Sequence, residues 1–371
     1  MKPTILPILL AAATLTGAIH AQTAHFQPGQ LAVLRAGDGL VAQHLKQAPI
    51  FIDQFDPKSF HAVPSFTVQI PTNGPGSFFF NGHAATEGIL SRSADHRLLV
   101  FAGYGGVNLL EDPGTPSLLD IQRGFCTVEA AGVIHARLYK TAESEQKINP
   151  RGATSEDGKS FWGCGNAGAT LYFVAGGKTP MEFESVQNTR AMKIIKHVLY
   201  ATLNGPDGIA MDTSAGIYQF ADKAGNPLPL PQQADAKIQL VVPADGAYTK
   251  IAGFDLNPEQ TIAYMADTAA GIQKYVKSAT NWKLAYNFAI PQNIPAADNH
   301  LAGCFGVAVD FSGPAPVIYA TTTEGYNGTV NSNRVVRIVD TNATAVVSTV
   351  AQSPSANIAY RGIDFTPEAG H

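Results

Sequence analysis

Four ionisable residues recur at one place in the chain: Glu87 before Gly88-Ile89, Arg151 before Gly152-Ala153, Arg190 before Ala191-Met192 and Arg361 before Gly362-Ile363. Three guanidinium groups gathered round one axis would take a carboxylate, sulfate or phosphate, because their planar forks match pairs of acceptor oxygens. That set points to an anionic ligand such as a uronic-acid sugar. The plainer alternative is that the arginines pair with Glu87, Asp267, Glu324 or strand-end carbonyls and fasten neighbouring segments, since structural ion networks imitate sites.

Asp267 and Glu324 are a second constellation, each closing a short apolar run, IAYMAD and VIYATTTE. Carboxylates at one mouth can serve as general acid and base on a glycoside, or ligate Ca²⁺. Acidic residues at strand ends also cap turns. His300, after Asp298-Asn299, is the histidine placed to join a site. His83, His135 and His197 are scattered, without the HxH or HExxH spacing of a metal centre. No GxSxG, CxxC or phosphate-cradling GxxxxGK[ST] occurs. The turn-rich loop Asn204-Gly205-Pro206-Asp207-Gly208 offers oxygens to Ca²⁺ but lacks the regular ligands of an EF-hand. Trp162 and Trp282 sit in strand-like runs and read as core.

The elements that must position these residues are clearest over residues 251 to 291, where four short apolar runs alternate with polar turns. Gly253 to Leu256, Thr261 to Met265, Gly271 to Val276 and Leu284 to Ala289 read as four strands, with Asn257-Pro258-Glu259-Gln260 as a turn. The same layout recurs elsewhere. A small residue opens each inner strand at Gly88, Gly152, Ala191, Gly253, Gly306 and Gly362, and a second strand follows at Arg97 to Ala102, Lys159 to Cys164, His197 to Thr202 and Val317 to Thr321. Repeated four-stranded units of this kind are the blades of a β-propeller. The expectation is all-β, with six blades. Seven is the alternative if Gly103 to Ala142 holds more than the strands Gly124 to Glu129 and Ile134 to Tyr139.

The final inner strand, around Gly362-Ile363, has nothing after it, while Leu31 to Arg35, Pro49 to Phe55 and Phe66 to Ile70 have no inner strand before them. Joining the two ends in one blade closes the ring and removes the exposed edges. Turns from inner to second strand are short. Connections after the second strand are long at Gly103 to Arg123, Asn204 to Ala215 and Thr322 to Asn333, all on the face where Glu87 and the arginines enter the channel. Binding residues concentrate on such loops, so that face is the candidate site.

Composition bounds the rest: 371 residues, 45% hydrophobic, 15% charged, 35 glycines and a net charge of −4. Nothing global recruits nucleic acid or an anionic membrane, both of which want concentrated basic surface. Residues 1–21, one lysine followed by an uncharged apolar run and small residues, have the layout of a secretory signal peptide cleaved after Ala21, with Ala18 as the rival site. Residues 22–371 then form a single propeller domain, secreted or periplasmic and without a membrane span. Cys126, Cys164 and Cys304 read as buried thiols, a Cys126 to Cys164 bridge being the alternative.

On the motifs LAVLRAGDG, GIQKY, VIYATTTE, NRVVRIVD and YRGIDFTP, the chain resembles a group of secreted bacterial β-propeller-like proteins without an established general activity. More distantly it resembles NHL and SMP-30-like propellers, which place an acidic residue at the end of a second strand, here Asp267. Phe305 stands where the related pattern tends to carry arginine, so the arginine ring is incomplete. The expected function is binding of a small-molecule or polysaccharide ligand, anionic by the arginines, at the central funnel. The enzyme alternative is an extracellular glycoside hydrolase or polysaccharide lyase using Asp267, Glu324 and the arginines. A third alternative is a scaffold or adhesin acting through the long loops.

Overall fold

Alternation of side chains along each strand organises the molecule. In Ile262–Asp267, Ala263 and Met265 enter one hydrophobic cluster while Tyr264 and Ala266 enter the next. A strand whose two faces both bury apolar groups must lie in a sheet packed on both sides. The computed structural model describes residues 25–40, 47–82, 84–105, 122–139, 149–166, 170–184, 186, 188–204, 214–248, 250–292, 301–324, 333–355 and 357–370. These residues form six antiparallel sheets arranged as a β-propeller, with each hydrophobic cluster wedged between successive blades.

Blade I is the closing blade. Its inner strand Ala359–Phe365 pairs with Leu31–Ala36, which pairs with Ile50–Phe55 and then Phe66–Gln69. Leu31 faces Phe365 and Val33 faces Ile363, while Thr366 donates its hydroxyl to Gln27 O at 2.6 Å. Blades III to VI are four-stranded and run in chain order from the inner strands Pro150–Ser155, Thr189–Ile195, Ile251–Leu256 and Cys304–Asp310. The long stretch after Gly103 supplies the third and fourth strands of blade II, Gln122–Glu129 and Ile134–Tyr139.

Blade II departs from the expected repeat. Its inner strand is split into Phe78–Asn81 and Ser91–Arg92, both paired with Leu98–Gly105, and Glu87-Gly88-Ile89 lies in the excursion between them. Gly88 and Ile89 are held instead by N–H bonds to Arg151 O at 3.0 and 2.9 Å. The extra residues between the two halves cannot fit the ladder, so they loop out toward the neighbouring inner strand. Two short pairings, Gln47–Ala48 with Phe80 and Asn81, and Ile290–Pro291 with Leu301–Ala302, add to the blades.

The regular inner strands bulge where the small residue sits. Register slips between Pro150 and Gly152, Thr189 and Met192, Ile251 and Phe254, and Cys304 and Val307. A bulge leaves an amide without a ladder partner, and a side chain from the second strand answers it. Thr202 Oγ1 accepts Ala191 N–H at 3.0 Å and donates to Ala252 O of the next blade at 2.7 Å. Thr321 does the same between Gly306 N–H and Arg361 O. In blade III the sulfur of Cys164 plays this part, taking the Gly152 N–H and donating to Arg190 O at 3.3 Å. Cys126, Cys164 and Cys304 are all free and buried.

Two outcomes follow from this geometry. A chain lacking residues 359–371 loses the inner strand of blade I and bares paired edges; it should show no cooperative thermal transition near that of the intact protein, and a soluble truncation with unchanged Tm would refute the closure. Cys164→Ala should cost about 1–2 kcal/mol in urea unfolding, the range for a lost buried hydrogen bond. Cys164→Ser, which keeps a donor and an acceptor, should recover most of it; equal loss in both variants would reduce the residue to packing.

Candidate functional site

Inner strands run from an entry end, where the small residues lie, to an exit end, where short turns lead into the second strands. The middle of the channel narrows to a void of about 10 Å³ lined by Ile89, Leu90, Phe254, Val307 and Ile363, with Lys193 also reaching it, at most the room for one water. The two mouths are therefore separate sites. The bulk of each long entry-end connection, residues 106–121, 205–213 and 325–332, lies outside the described residues, as do His83, His300, the loop from Gly205 to Gly208 and residues 1–21.

Glu87, Arg151 and Arg361 converge at the entry end. Arg361 is fully buried and donates from one terminal nitrogen to Ala84 O at 2.8 Å and Glu87 O at 3.2 Å, with its guanidinium over the Phe80 ring. Arg151 donates to Asn188 Oδ1 at 2.8 Å, Thr189 O at 3.0 Å and Thr86 Oγ1 at 3.4 Å. Arg190 is half-buried, and its charge is felt together with that of Arg151 at Cys164, whose thiol burial nonetheless pushes up to about 12. The bulges put these side chains at the mouth because each arginine immediately precedes the small residue.

The Glu87 carboxyl, wholly buried, accepts the Tyr104 hydroxyl at 2.7 Å and Asn81 N–H at 2.9 Å. Burial raises its pKa from 4.5 to about 7, outweighing the Tyr104 hydrogen bond and the attraction of Arg361 and Arg151. Tyr104 OH also lies 3.2 Å from Asn149 Oδ1, so protonated Glu87 can donate to Tyr104 while Tyr104 turns its own proton to Asn149. Sequence reading found Glu87 but not Tyr104, whose role depends on the split strand of blade II.

Asp267 and Glu324 come to neighbouring strand ends, linked by Thr323 Oγ1 donating to Thr268 O at 3.2 Å. Both charges reach the Cys304 thiol, which burial raises further still. Each carboxylate has its own fixed partners: Asp267 accepts Lys250 N–H at 3.0 Å and Ala269 N–H at 2.8 Å, and Glu324 takes Arg334 in a two-pronged pair at 2.9 and 2.7 Å. Trp162 is core, its indole N–H donating to Pro231 O at 2.7 Å. Among the described residues no group of three or more His, Cys, Asp and Glu is arranged to hold a metal ion, and no helix is long and apolar enough to cross a membrane.

Sequence reading missed the exit end. There Lys193, Asp255 and Asp364, each two residues beyond the small residue of its inner strand, meet at the floor of a cavity of about 410 Å³. The shared offset from Ala191, Gly253 and Gly362 is the signal that would have found them.

No protein-family model matches the chain, and no curated protein matches it in sequence. Among solved structures it is similar to one from Bacteroides uniformis described as a candidate 6-phosphogluconolactonase, at 11% identity over 88% of this chain and 83% of that one, with a TM-score of 0.36. It is also similar to the dihydro-heme d1 dehydrogenase NirN in complex with DHE, at 12% identity over 85% of this chain, with a TM-score of 0.39; this chain spans 52% of that one. The fold assignment rests on the six blades themselves.

The raised Glu87 pKa makes a signed prediction. As pH climbs from 4.5 toward 7 the unfolded chain gives up this proton before the native state does, so native stability falls across that window. Glu87→Gln imitates the protonated form. Compared with wild type it should be equally stable at pH 4 and more stable at pH 8, by up to roughly 3 kcal/mol for a shift of this size. Chemical denaturation at the two pH values reads the difference; a variant less stable than wild type at pH 8 would contradict it.

Proposed function

We propose that the protein is an exported ligand-binding propeller that takes an anionic ligand, such as a uronic-acid saccharide, at the entry end of its channel. The observation that carries this reading is the convergence of Arg151 and Arg361 on one carboxyl that is half-protonated near neutrality, with their described hydrogen bonds going to carbonyl, hydroxyl and amide oxygens. Positive charge held at a mouth in this way attracts an anion and orients it. A bound anion would push the Glu87 carboxyl further toward its neutral form, so binding takes up a proton near pH 7. Export is supported by the residue pattern of positions 1–21.

The hydrolase or lyase reading would use Asp267 and Glu324. The two-pronged pair of Glu324 with Arg334 occupies both oxygens of that carboxylate, which favours binding over general acid and base work. Ca²⁺ at the Asn204 to Gly208 loop and a scaffold role for the long loops both depend on residues outside the described ones.

Calorimetric titration with galacturonate and oligogalacturonates tests the reading. Replacing Arg151, Arg190 or Arg361 by Ala should weaken binding by about 1.5–3 kcal/mol, the range for a charge-assisted hydrogen bond. Lysine should restore only part of that, since it keeps charge but loses the fork. Arg190, the least buried of the three, is the cleanest probe because its replacement disturbs packing least. Lowered Tm with unchanged affinity for these acids would leave the arginines as blade fasteners.

A further inference from the structure

The exit-end cluster is built from three blades. Lys193 Nζ lies 3.2 Å from Asp255 Oδ2 and 3.3 Å from Asp364 Oδ2, and 3.5 Å from Val307 O. Backbone amides hold the carboxylates from behind: Val309 N–H and Leu256 N–H donate to Asp255, Arg92 N–H and Phe365 N–H to Asp364, all at 2.8–3.0 Å. Side-chain exposures of 13, 15 and 10% for Lys193, Asp255 and Asp364 leave a small polar surface, and it faces the cavity. Taking three charges out of water is costly beside packing the same space with hydrocarbon. Here the charges are kept at the floor of an open cleft whose volume of about 410 Å³ falls within the range of small-molecule sites.

Charge decides what fits. At the floor two carboxylates face one ammonium, which disfavours an anion beside them, while Arg92 and Lys196 elsewhere in the lining keep the cleft as a whole from being acidic. A cation would have to displace Lys193, whose ammonium already sits between the two acids. Burial pulls that ammonium down, yet Asp255 and Asp364 more than offset it and hold it above its usual range. All three Lys193 N–H bonds have acceptors in Asp255, Asp364 and Val307 O, while Oδ1 of each aspartate accepts only one described N–H and retains lone-pair capacity. The floor therefore calls for donors without net charge, which hydroxyl groups supply. The walls are mixed: Leu256, Pro258, Val309 and the half-buried rings of Phe311 and Phe365 give apolar surface beside Arg92, His96, Lys196 and His197. Aromatic walls beside carboxylate acceptors suit a ring that is C–H on its face and O–H on its rim.

We infer that the exit end is a second binding site, for a neutral polyhydroxylated ligand of one or two sugar rings, with Asp255 and Asp364 as hydroxyl acceptors and Lys193 as the cation that positions them. This site is separated from the entry end by the closed middle of the channel and does not depend on what binds there.

The test is calorimetric titration of the full chain with methyl α-glucoside, methyl α-mannoside, methyl β-galactoside and maltose, with glucuronate and glucosamine as charged comparators. A neutral glycoside should bind. Asp364→Asn should weaken that binding at least tenfold and Phe311→Ala several-fold, whereas Arg190→Ala should leave it unchanged. Phe311→Ala leaves the charged floor intact, which keeps the test decisive if the aspartate variant folds poorly. The inference is overturned if none of the four neutral glycosides binds, if a charged comparator binds more tightly than all of them, or if Phe311→Ala binds as wild type does.

Discussion

The six inner strands crowd so closely round the axis that a side chain at the crossing points has nowhere to go. A Cβ on Gly253 would lie 2.7 Å from Phe305 O, one on Gly306 2.8 Å from Arg361 O, and one on Gly362 2.3 Å from Leu90 N. Backbone meeting backbone at that distance demands glycine at these three positions, and it demands that each strand bend inward, which the bulges accomplish. The bends free amides, and Thr202, Thr321 and Cys164 take them while reaching across to the following blade. One steric constraint thus accounts for the recurring small residue, the bulge beside it and the bond that ties one blade to the next.

The same constraint sorts the chemistry into two mouths. The residue before each small one projects at the entry end and is arginine in blades I, III and IV; the residue two after it sits at the exit end and is Asp364, Lys193 or Asp255 in blades I, IV and V. Between them lies an apolar plug. Charges on its two sides are screened by solvent at each mouth, so ligands at the two ends influence one another chiefly through the inner strands that carry both residues.

Much of the fold was legible because it is written in alternation. Runs such as Thr261 to Met265 and Val317 to Thr321 match the observed Ile262–Asp267 and Val317–Thr322 to within two residues at each end, and strands that bury both faces tolerate no slip. Closure of blade I was legible for the opposite reason, an inner strand without followers and followers without an inner strand. Blade II was not, because the small residue Gly88 marks an inner strand there as in the other blades, and nothing local says that Phe78–Asn81 and Ser91–Arg92 will pair with the second strand on either side of it.

Site residues were legible in proportion to how far they depend on position alone. Arginine before a small residue, three times over, is a pattern in sequence. Lys193, Asp255 and Asp364 are single charged residues in unremarkable strands, and a charged residue in a strand ordinarily reads as solvent-facing. Only the curvature of the inner strands turns them toward one another, and only the exit-end turns bearing His96, His197 and Pro258 roof the space above them. The Glu87 pKa shows the same dependence: the carboxyl titrates near neutrality because the excursion in blade II carries it beneath the mouth, where burial outweighs two nearby guanidinium groups and a tyrosine hydrogen bond. The split in blade II, a departure from the repeat, is therefore what gives the entry end, among its described residues, a carboxyl able to change charge near pH 7.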